Sequence, residues 1–210
     1  MEYWYERNPN CNNWWYNQIA EPQKTRYTAY TDACREKKQI PAELETKTLQ
    51  RIRKEGGDPV KWTGANRTDI ALHWIYRSCL AKKRGRPGNG SRKCLQSDRI
   101  YSKRRVFQHD NSYFQHGVQL YIGGYGDEIL KGTTQVAMYT QGTKYALSTE
   151  KIQLLSKFMR QTYYQAIRGK YMLFDVLGRG ISRKDITDKS ATALFAERMA
   201  VLDPEHIEEY

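Results

Sequence analysis

An apolar stripe in the second half of the chain constrains the fold more than any other feature. Ile152, Leu155, Met159, Tyr163 and Ala166 recur at steps of three and four residues. Side chains with that spacing share one face of an α-helix, because the helix repeats about every 3.6 residues. The stripe therefore predicts a helix whose apolar face is buried in a core rather than offered to a ligand.

The flanks of the stripe predict where this helix begins and ends. Ser148 is a candidate N-cap, and Glu150 would lie favourably near the positive end of the helix dipole. Gly169 is the expected end, since glycine adopts the left-handed conformation that commonly closes a helix. Composition and spacing predict further helices at residues 42–55, 70–80, 127–141 and 189–202. Helices are therefore expected to dominate at least the second half of the chain.

Asn66 is predicted to lie in a loop just before the helix at 70–80, because Thr68 or Asp69 could cap that helix. A loop residue held at the start of a helix is well placed to face a cleft. An ordinary Asx-turn is the alternative explanation for an asparagine at this position.

The segment 110–126 fits neither a helical nor a strand period throughout. It carries four aromatic rings, a histidine and four glycines in seventeen residues. Glycines surround Tyr125, so the backbone there can form turns that other residues disfavour and can approach a ligand closely. Together, His116 and Tyr125 could reach one reacting atom, and such a pair suits proton-transfer chemistry.

Two arginines near glycines form a second candidate site. Arg179 lies between Gly178 and Gly180, and Arg183 follows four residues later. The guanidinium group has a planar fork of donors that matches carboxylates and sulfates. A solvated loop without a ligand is the alternative.

Aromatic side chains suggest a sugar-binding surface near the N-terminus. They make up 12% of the chain, which includes 16 tyrosines and 5 tryptophans. Flat rings can stack on the faces of sugar rings, so the adjacent Trp14 and Trp15 are candidates for a substrate groove. Packing of both rings into a core is the alternative.

Most of the net charge of +12 is concentrated in one segment of the chain. Residues Lys82–Arg105 hold ten of the 35 basic side chains, and the rest of the chain is close to neutral. Nucleic acid is therefore not expected as a partner. The segment 82–108 reads as a disordered basic loop, which either binds a polyanion or reflects a reading-frame disturbance or drift.

The remaining features exclude several classes of protein. Four cysteines without CxxC spacing argue against a zinc site, so isolated thiols are expected. No window of 18 uncharged apolar residues is present, so no membrane span is expected. The first residues lack a basic region followed by an apolar run, so no signal peptide is expected.

Several stretches of the chain resemble motifs of polysaccharide lyase family eight, which includes chondroitin AC, hyaluronate and xanthan lyases. The matching stretches are Asn13-Trp14-Trp15, Thr63-Gly64-Ala65-Asn66, the segment 110–126 and Gly178–Arg183. The resemblance covers most of residues 12–210 except the basic segment. It is strongest toward chondroitin AC lyases, because Tyr145–Lys151 and Ala166–Met172 also look like theirs.

The resemblance implies a mainly α fold, a partial (α/α) toroid of helical hairpins. Residues 1–210 would form a single truncated lyase domain with an atypical basic segment at 82–108. The β-sandwich domains that follow the toroid in full-length members are expected to be absent. Such bacterial enzymes imply a secreted or periplasmic location and a monomer.

The resemblance also implies β-elimination at a uronic acid of chondroitin sulfate or hyaluronan. Asn66 would neutralise the uronate carboxylate, and Tyr125 would act as base and then as acid. Arg179 and His116 would lower the pKa of the tyrosine. If His116 is the base instead, Tyr125 acts only as the acid, and both assignments stay open.

Substrate binding is assigned by the same resemblance to Trp14, Trp15 and Arg183. Neither a metal nor an organic cofactor is expected, and the expected partner is an acidic polysaccharide. The alternative function is a catalytically inactive fragment that binds glycosaminoglycan without cleaving it.

Overall fold

The computed structural model describes residues 1–7, 10–62, 64–82, 107–143 and 145–210. The predicted basic segment 82–108 therefore lies almost entirely outside the described residues. By its internal contacts the chain divides into two compact units. Unit 1 consists of Met1–Trp62 and Asn66–Ser97, and unit 2 consists of Thr63–Ala65 and Asp98–Tyr210.

The regular elements in the described part of unit 1 are all helical. A π-helical turn, Tyr16–Ala20, leads directly into the second helix. The α-helices are α1 Glu2–Arg7, α2 Glu21–Ala33, α3 Ala42–Glu55 and α4 Gly64–Lys82, whose first two residues belong to unit 2. Buried apolar side chains from three of these helices and the turn form its core: Ile19, Ala29, Leu49, Ile52 and Ile70.

Helix α3 matches the predicted bounds, and Gly56 follows it directly. Helix α4 does not match, because it begins at Gly64 rather than near Ile70. The prediction of Asn66 in a loop is therefore wrong, and Asn66 lies in the first turn of α4. Burial explains the difference, since Ala65 and Thr68 are packed inside the protein. Packing of a helical face outweighs the preference of Thr68 for a capping position.

Unit 2 contains three α-helices and two short antiparallel hairpins among its described residues. The helices are α5 Asp127–Thr140, α6 Thr149–Phe158 and α7 Ala193–Leu202. The hairpins pair β1 Phe114–Gln115 with β2 Gln119–Leu120, and β3 Ile167–Arg168 with β4 Tyr171–Met172. Within the described residues the fold is thus mainly α, which confirms the predicted class. The toroidal arrangement of the helices stays a prediction.

The apolar stripe is buried as predicted. Leu155, Met159, Tyr163 and Ala166 all belong to the core of unit 2, and Ile152 packs against it. Full burial of each large side chain contributes about 1.5–3 kcal/mol, so the stripe is a major source of stability. Neighbouring core positions come from other elements of unit 2: Tyr113, Ile129, Leu130, Leu177, Phe195 and Met199.

The predicted ends of the striped helix are partly right. Ser148 is the N-cap and Glu150 lies in the first turn, but the Ser148 side chain makes no capping hydrogen bond. Helical geometry continues as a π-turn, Met159–Tyr163, and a 3-10 turn, Tyr164–Ala166. Gly169 is not the helix end. With φ of 58°, it forms the turn of the second hairpin instead.

A buried cation joins the far end of the chain to the turn before α5. Lys189, only 7% exposed, donates to the Asp127 carboxylate at 2.6 Å and to the Gly123 carbonyl at 2.7 Å. The Tyr163 hydroxyl donates to the other oxygen of Asp127 at 2.6 Å. Burial raises the pKa of Asp127 and the positive charge of Lys189 opposes that rise. The lysine therefore stabilises a carboxylate that is expensive to bury alone.

No described helix is both long and apolar enough to cross a membrane.

Replacement of the buried lysine should destabilise unit 2 strongly. In Lys189→Met, we expect the free energy of unfolding at neutral pH to fall by about 3–5 kcal/mol, because Asp127 loses its cation. Urea denaturation followed by circular dichroism measures the change. As a matched control, Lys170→Met removes an exposed pair with Asp188 at 3.1 Å and should cost at most about 1 kcal/mol. Equal losses in the two variants would contradict the role given to Lys189.

Candidate functional site

The first hairpin of unit 2 presents His116 in its turn. The strands end at Gln115 and resume at Gln119, so three residues close the hairpin. Two of them adopt left-handed conformations, with φ of 53° at His116 and 91° at Gly117. This conformation is unusual for a residue with a side chain and costs about 1–3 kcal/mol. The imidazole is exposed in that strained turn.

The π-helical turn Ile122–Gly126 presents Tyr125. Its backbone closes through a hydrogen bond from the Gly126 amide to the Tyr121 carbonyl at 3.1 Å. A Cβ atom on Gly123 would lie 2.1 Å from the Met172 sulfur, so only glycine fits there. Lys189 holds the Gly123 carbonyl from the buried side. The turn is thus fixed on both sides, with the Tyr125 ring half-buried beside it.

The structure brings three of the predicted residues together around the Tyr125 hydroxyl. His116 Nε2 lies 3.0 Å from Tyr125 Oη, and Arg179 Nη2 donates to the same oxygen at 3.3 Å. The rings of His116 and Tyr125 meet edge to face, with centroids 5.1 Å apart. One phenol therefore contacts both a titratable base and a fixed cation.

Electrostatics within this cluster favour a neutral histidine. Partial burial lowers the pKa of His116, and the positive charge of Arg179 lowers it further. The hydrogen bond to Tyr125 in turn raises the pKa of Arg179, which is charged at every accessible pH. A neutral imidazole next to a phenol can accept the phenolic proton, while an arginine can stabilise the phenolate.

The remaining predicted residues are Arg183, Asn66 and the two tryptophans. Arg183 is exposed at the end of the 3-10 turn Gly178–Ser182, in the same unit as His116 and Tyr125. Asn66 belongs to unit 1, where it is half-buried in the first turn of α4. Its proposed role and that of Arg183 stay predictions.

Both predicted tryptophans are also in unit 1, and both are exposed rather than packed in a core. Trp14 is 46% exposed and stacks on Trp62, with ring centroids 4.5 Å apart and planes inclined by 12°. Trp15 is 39% exposed and meets Tyr16 edge to face. The stack presents flat aromatic surface to solvent, an arrangement that suits a sugar ring.

Sequence reasoning missed three residues of these sites. Trp62 completes the aromatic stack, and its position just before the stretch that contains Asn66 was an available signal. Tyr121 packs its ring on Tyr125, with centroids 5.0 Å apart. The third, Lys189, carries no sequence signal, because its partner Asp127 is distant along the chain.

A group of possible metal ligands lies at the C-terminal end of unit 2. Asp203, Glu205 and His206 each place one ligand atom within 4.8 Å of the others. The Asp203 carboxylate already accepts hydrogen bonds from Gln153 at 3.2 Å and Tyr210 at 2.7 Å, and pairs with His206 at 2.9 Å. The group therefore anchors the end of the chain to α6. Of the cysteines with described side chains, Cys11 and Cys34 are both free and exposed.

Curated proteins similar to this chain are polysaccharide lyases. Chondroitinase-AC of Pedobacter heparinus is 38% identical over 217 aligned residues, which cover 100% of this chain and 30% of that protein. Hyaluronate lyase HylB of Enterococcus faecalis is 28% identical over 128 residues, or 61% of this chain and 13% of that protein. The chain thus spans less than a third of the length of these relatives.

Solved structures give the same picture. A chondroitinase AC lyase studied as enzyme–oligosaccharide complexes superimposes with a TM-score of 0.86 at 38% identity, over 99% of this chain and 30% of that one. The chondroitin AC lyase of Streptomyces coelicolor A3 in complex with chondroitin sulphate gives 0.72 at 21% identity, over 92% and 28%. At that lower identity the likeness concerns the fold alone.

The family model described as "Polysaccharide lyase family 8, N terminal alpha-helical domain" matches residues 1–209. Since this match includes nearly the whole chain, the protein belongs to polysaccharide lyase family 8.

Proposed function

We propose that this protein is a lyase that cleaves a uronic-acid-containing glycosaminoglycan by β-elimination. The observation that carries the proposal is the contact of the Tyr125 hydroxyl with both His116, at 3.0 Å, and Arg179, at 3.3 Å. A phenol held between a neutral base and a cation can lose and regain a proton at one place. Such a group can serve elimination as both base and acid when it lies beside both the C5 proton and the leaving oxygen.

The proposed reaction moves one proton and breaks one glycosidic bond. Tyr125, as phenolate, removes the proton from C5 of the uronate. The electron pair of that C–H bond forms the C4=C5 double bond, and the glycosidic C4–O bond breaks. Tyr125 then returns the proton to the leaving oxygen, so the enzyme ends in its starting state.

Arg179 and His116 assist different stages of this cycle. Arg179 donates a charge-assisted hydrogen bond to Tyr125 and so favours the phenolate. His116 is kept neutral by partial burial and by Arg179, so it can accept the phenolic proton before the reaction. If His116 itself removes the C5 proton, Tyr125 serves only as the acid. The geometry is compatible with both assignments.

The negative charge that develops at C5 and on the carboxylate needs a hydrogen-bond donor to stabilise it. Asn66 is the proposed donor, because its side-chain amide can bond the uronate carboxylate without adding a titratable group. Arg183 is proposed to bind a carboxylate or sulfate of the polysaccharide through its exposed guanidinium group.

The proposed substrate class rests on the names of the curated relatives. Curated relatives are named chondroitinase and hyaluronate lyase. We therefore propose chondroitin sulfate or hyaluronan as the substrate of this chain. Trp14, stacked on Trp62, and the adjacent Trp15 would supply the apolar surface for its sugar rings.

Ultraviolet absorbance tests the proposed reaction directly. Elimination conjugates the new C4=C5 bond with the carboxylate, so absorbance should rise when the protein is incubated with chondroitin sulfate or hyaluronan. In Tyr125→Phe, we expect turnover to fall by at least about 100-fold, because the proton-transfer group is lost. Binding should persist, since the ring remains.

Tyr139→Phe is the matched control, because Tyr139 is an exposed tyrosine of the same unit. Its activity should equal that of the wild type. Retained turnover in Tyr125→Phe would contradict the mechanism. A folded wild-type protein that binds glycosaminoglycan without any rise in absorbance would instead support the alternative, an inactive binding fragment.

The charge of Arg179 should be visible in the titration of His116. In Arg179→Gln, we expect the pKa of His116 to rise toward its usual value, because a positive charge no longer opposes protonation. NMR titration of the imidazole Cε1–H signals measures the shift. Arg183→Gln removes a nearby arginine of the same segment and should leave this pKa unchanged. A larger shift in Arg183→Gln than in Arg179→Gln would contradict the assignment.

Loss of the aromatic stack should weaken binding rather than chemistry. We expect Trp14→Ala to raise KM for polysaccharide several-fold with kcat nearly unchanged, because stacking acts on the bound substrate and transition state alike. Steady-state kinetics by absorbance provide both constants. Tyr27→Ala, which removes another exposed ring of unit 1, should change neither. A fall in kcat alone would argue against a binding role for Trp14.

A further inference from the structure

We propose that Tyr121 is a positioning residue, whose buried ring sets the placement of Arg179 relative to Tyr125. This inference rests on the proposed function, because a role in catalysis requires that the protein be a lyase. The effect of Tyr121 on the placement of Arg179 can be tested without any activity. Tyr121 is 2% exposed and therefore does not itself contact substrate.

The ring of Tyr121 lies against glycines from two separate segments. A Cβ atom on Gly124 would lie 2.4 Å from the ring, and one on Gly178 would lie 2.8 Å from it. Both distances are shorter than any real contact of a Cβ atom, so the ring occupies space that side chains at these positions would need. Gly124 precedes Tyr125, and Gly178 precedes Arg179. The ring is thus wedged between the two segments that carry the reacting groups.

The same residue also holds the turn that presents Tyr125. The Tyr121 carbonyl accepts the Gly126 amide at 3.1 Å, and the Tyr121 amide donates to the Tyr113 carbonyl at 2.9 Å. Its ring meets the Tyr125 ring edge to face, with planes inclined by 80°. Tyr121 therefore fixes Tyr125 through both backbone and side chain.

The hydroxyl group of Tyr121 extends the wedge to Arg179. A Cβ atom on Gly180 would lie 3.4 Å from this oxygen, so the hydroxyl reaches the glycine that follows Arg179. A hydrogen bond with Tyr121 contributes, after Tyr125, to raising the pKa of Arg179. One buried tyrosine thus lies against both neighbours of the arginine and also favours its charged form.

This arrangement explains why a glycine precedes Arg179 in this chain. Gly178 has φ of 53°, a left-handed conformation, and it also lacks the Cβ that would strike the ring. Removal of the ring would leave a void beside Arg179 and free its segment to move. A displacement of about 1 Å from the working geometry can lower a rate by about 100-fold.

Two variants test whether the Tyr121 side chain positions Arg179, and the pKa of His116 is the quantity measured. Tyr121→Leu removes the flat ring, and Tyr121→Phe removes only the hydroxyl. If Tyr121 positions Arg179, the pKa of His116 should rise in Tyr121→Leu, in the direction expected for Arg179→Gln. In an Arg179→Gln background, Tyr121→Leu should add no further rise, because the charge being positioned is gone. NMR titration measures this pKa in the wild type, in both Tyr121 variants, in Arg179→Gln and in the double variant.

Tyr113→Phe is the matched control. Tyr113 is another buried tyrosine near this turn, and its hydroxyl is buried without a hydrogen-bond partner. Removal of that hydroxyl should leave the pKa of His116 at the wild-type value. If Tyr121→Leu only loosened the core, it would change the pKa of His116 by the same amount in proteins with and without Arg179.

Kinetics provide the second readout. If the protein is an active lyase, we expect Tyr121→Leu to lower kcat by about 10- to 100-fold with little change in KM, since the change affects the reacting groups. An inactive wild type would overturn the proposed function, while the titration would still decide the role of Tyr121.

An unchanged pKa of His116 in folded Tyr121→Leu would overturn the inference. If that variant does not fold, Tyr121→Met takes its place, because methionine also lacks the ring but fills more of its space, and the same outcomes decide. Tyr121→Phe keeps the ring and should leave the pKa of His116 close to the wild-type value. Circular dichroism establishes which of the two cases applies.

Discussion

A single buried cation supports the turn on which the site depends. Lys189 bonds the Gly123 carbonyl and the Asp127 carboxylate, so it joins the start of α5 to the backbone just before Tyr125. A lysine in a low-dielectric interior is tolerated only with such partners, and Asp127 needs it equally. Tyr163, from the buried stripe, completes the group through the second oxygen of Asp127. The hydrophobic core and the polar site are therefore stabilised by one set of contacts.

The site itself combines strain with close packing. His116 is held in a left-handed conformation, and the ring of Tyr121 is wedged between glycines of the segments that carry Tyr125 and Arg179. Strain of this kind persists only where surrounding structure enforces it, and it commonly marks functional positions. Membership of polysaccharide lyase family 8 is consistent with that interpretation. This packing holds His116 and Arg179 at the Tyr125 hydroxyl, an arrangement on which the proposed proton transfer depends.

Sequence patterns predicted the regular elements better than their ends. The stripe ending at Ala166 and the helix 42–55 were found because apolar periodicity reports directly on a buried helical face. Asn66 and Gly169 were misplaced, since burial of Thr68 and the pairing of a hairpin overrode local capping preferences. Among site residues, His116, Tyr125 and Arg179 were identified from motifs, whereas Lys189 and Tyr121 were not.

The sequence by itself determined the family, the mainly helical class and the identity of the residues around the Tyr125 hydroxyl. Each of these follows from a local pattern or from a short motif that can be recognised directly along the chain. Only the tertiary structure decided that Arg179, 54 positions later in the chain, donates to that hydroxyl at 3.3 Å. It alone also decided that Trp62 pairs with Trp14 and that Lys189 lies under the turn. Such contacts join distant parts of the chain, so no local pattern along the sequence predicts them.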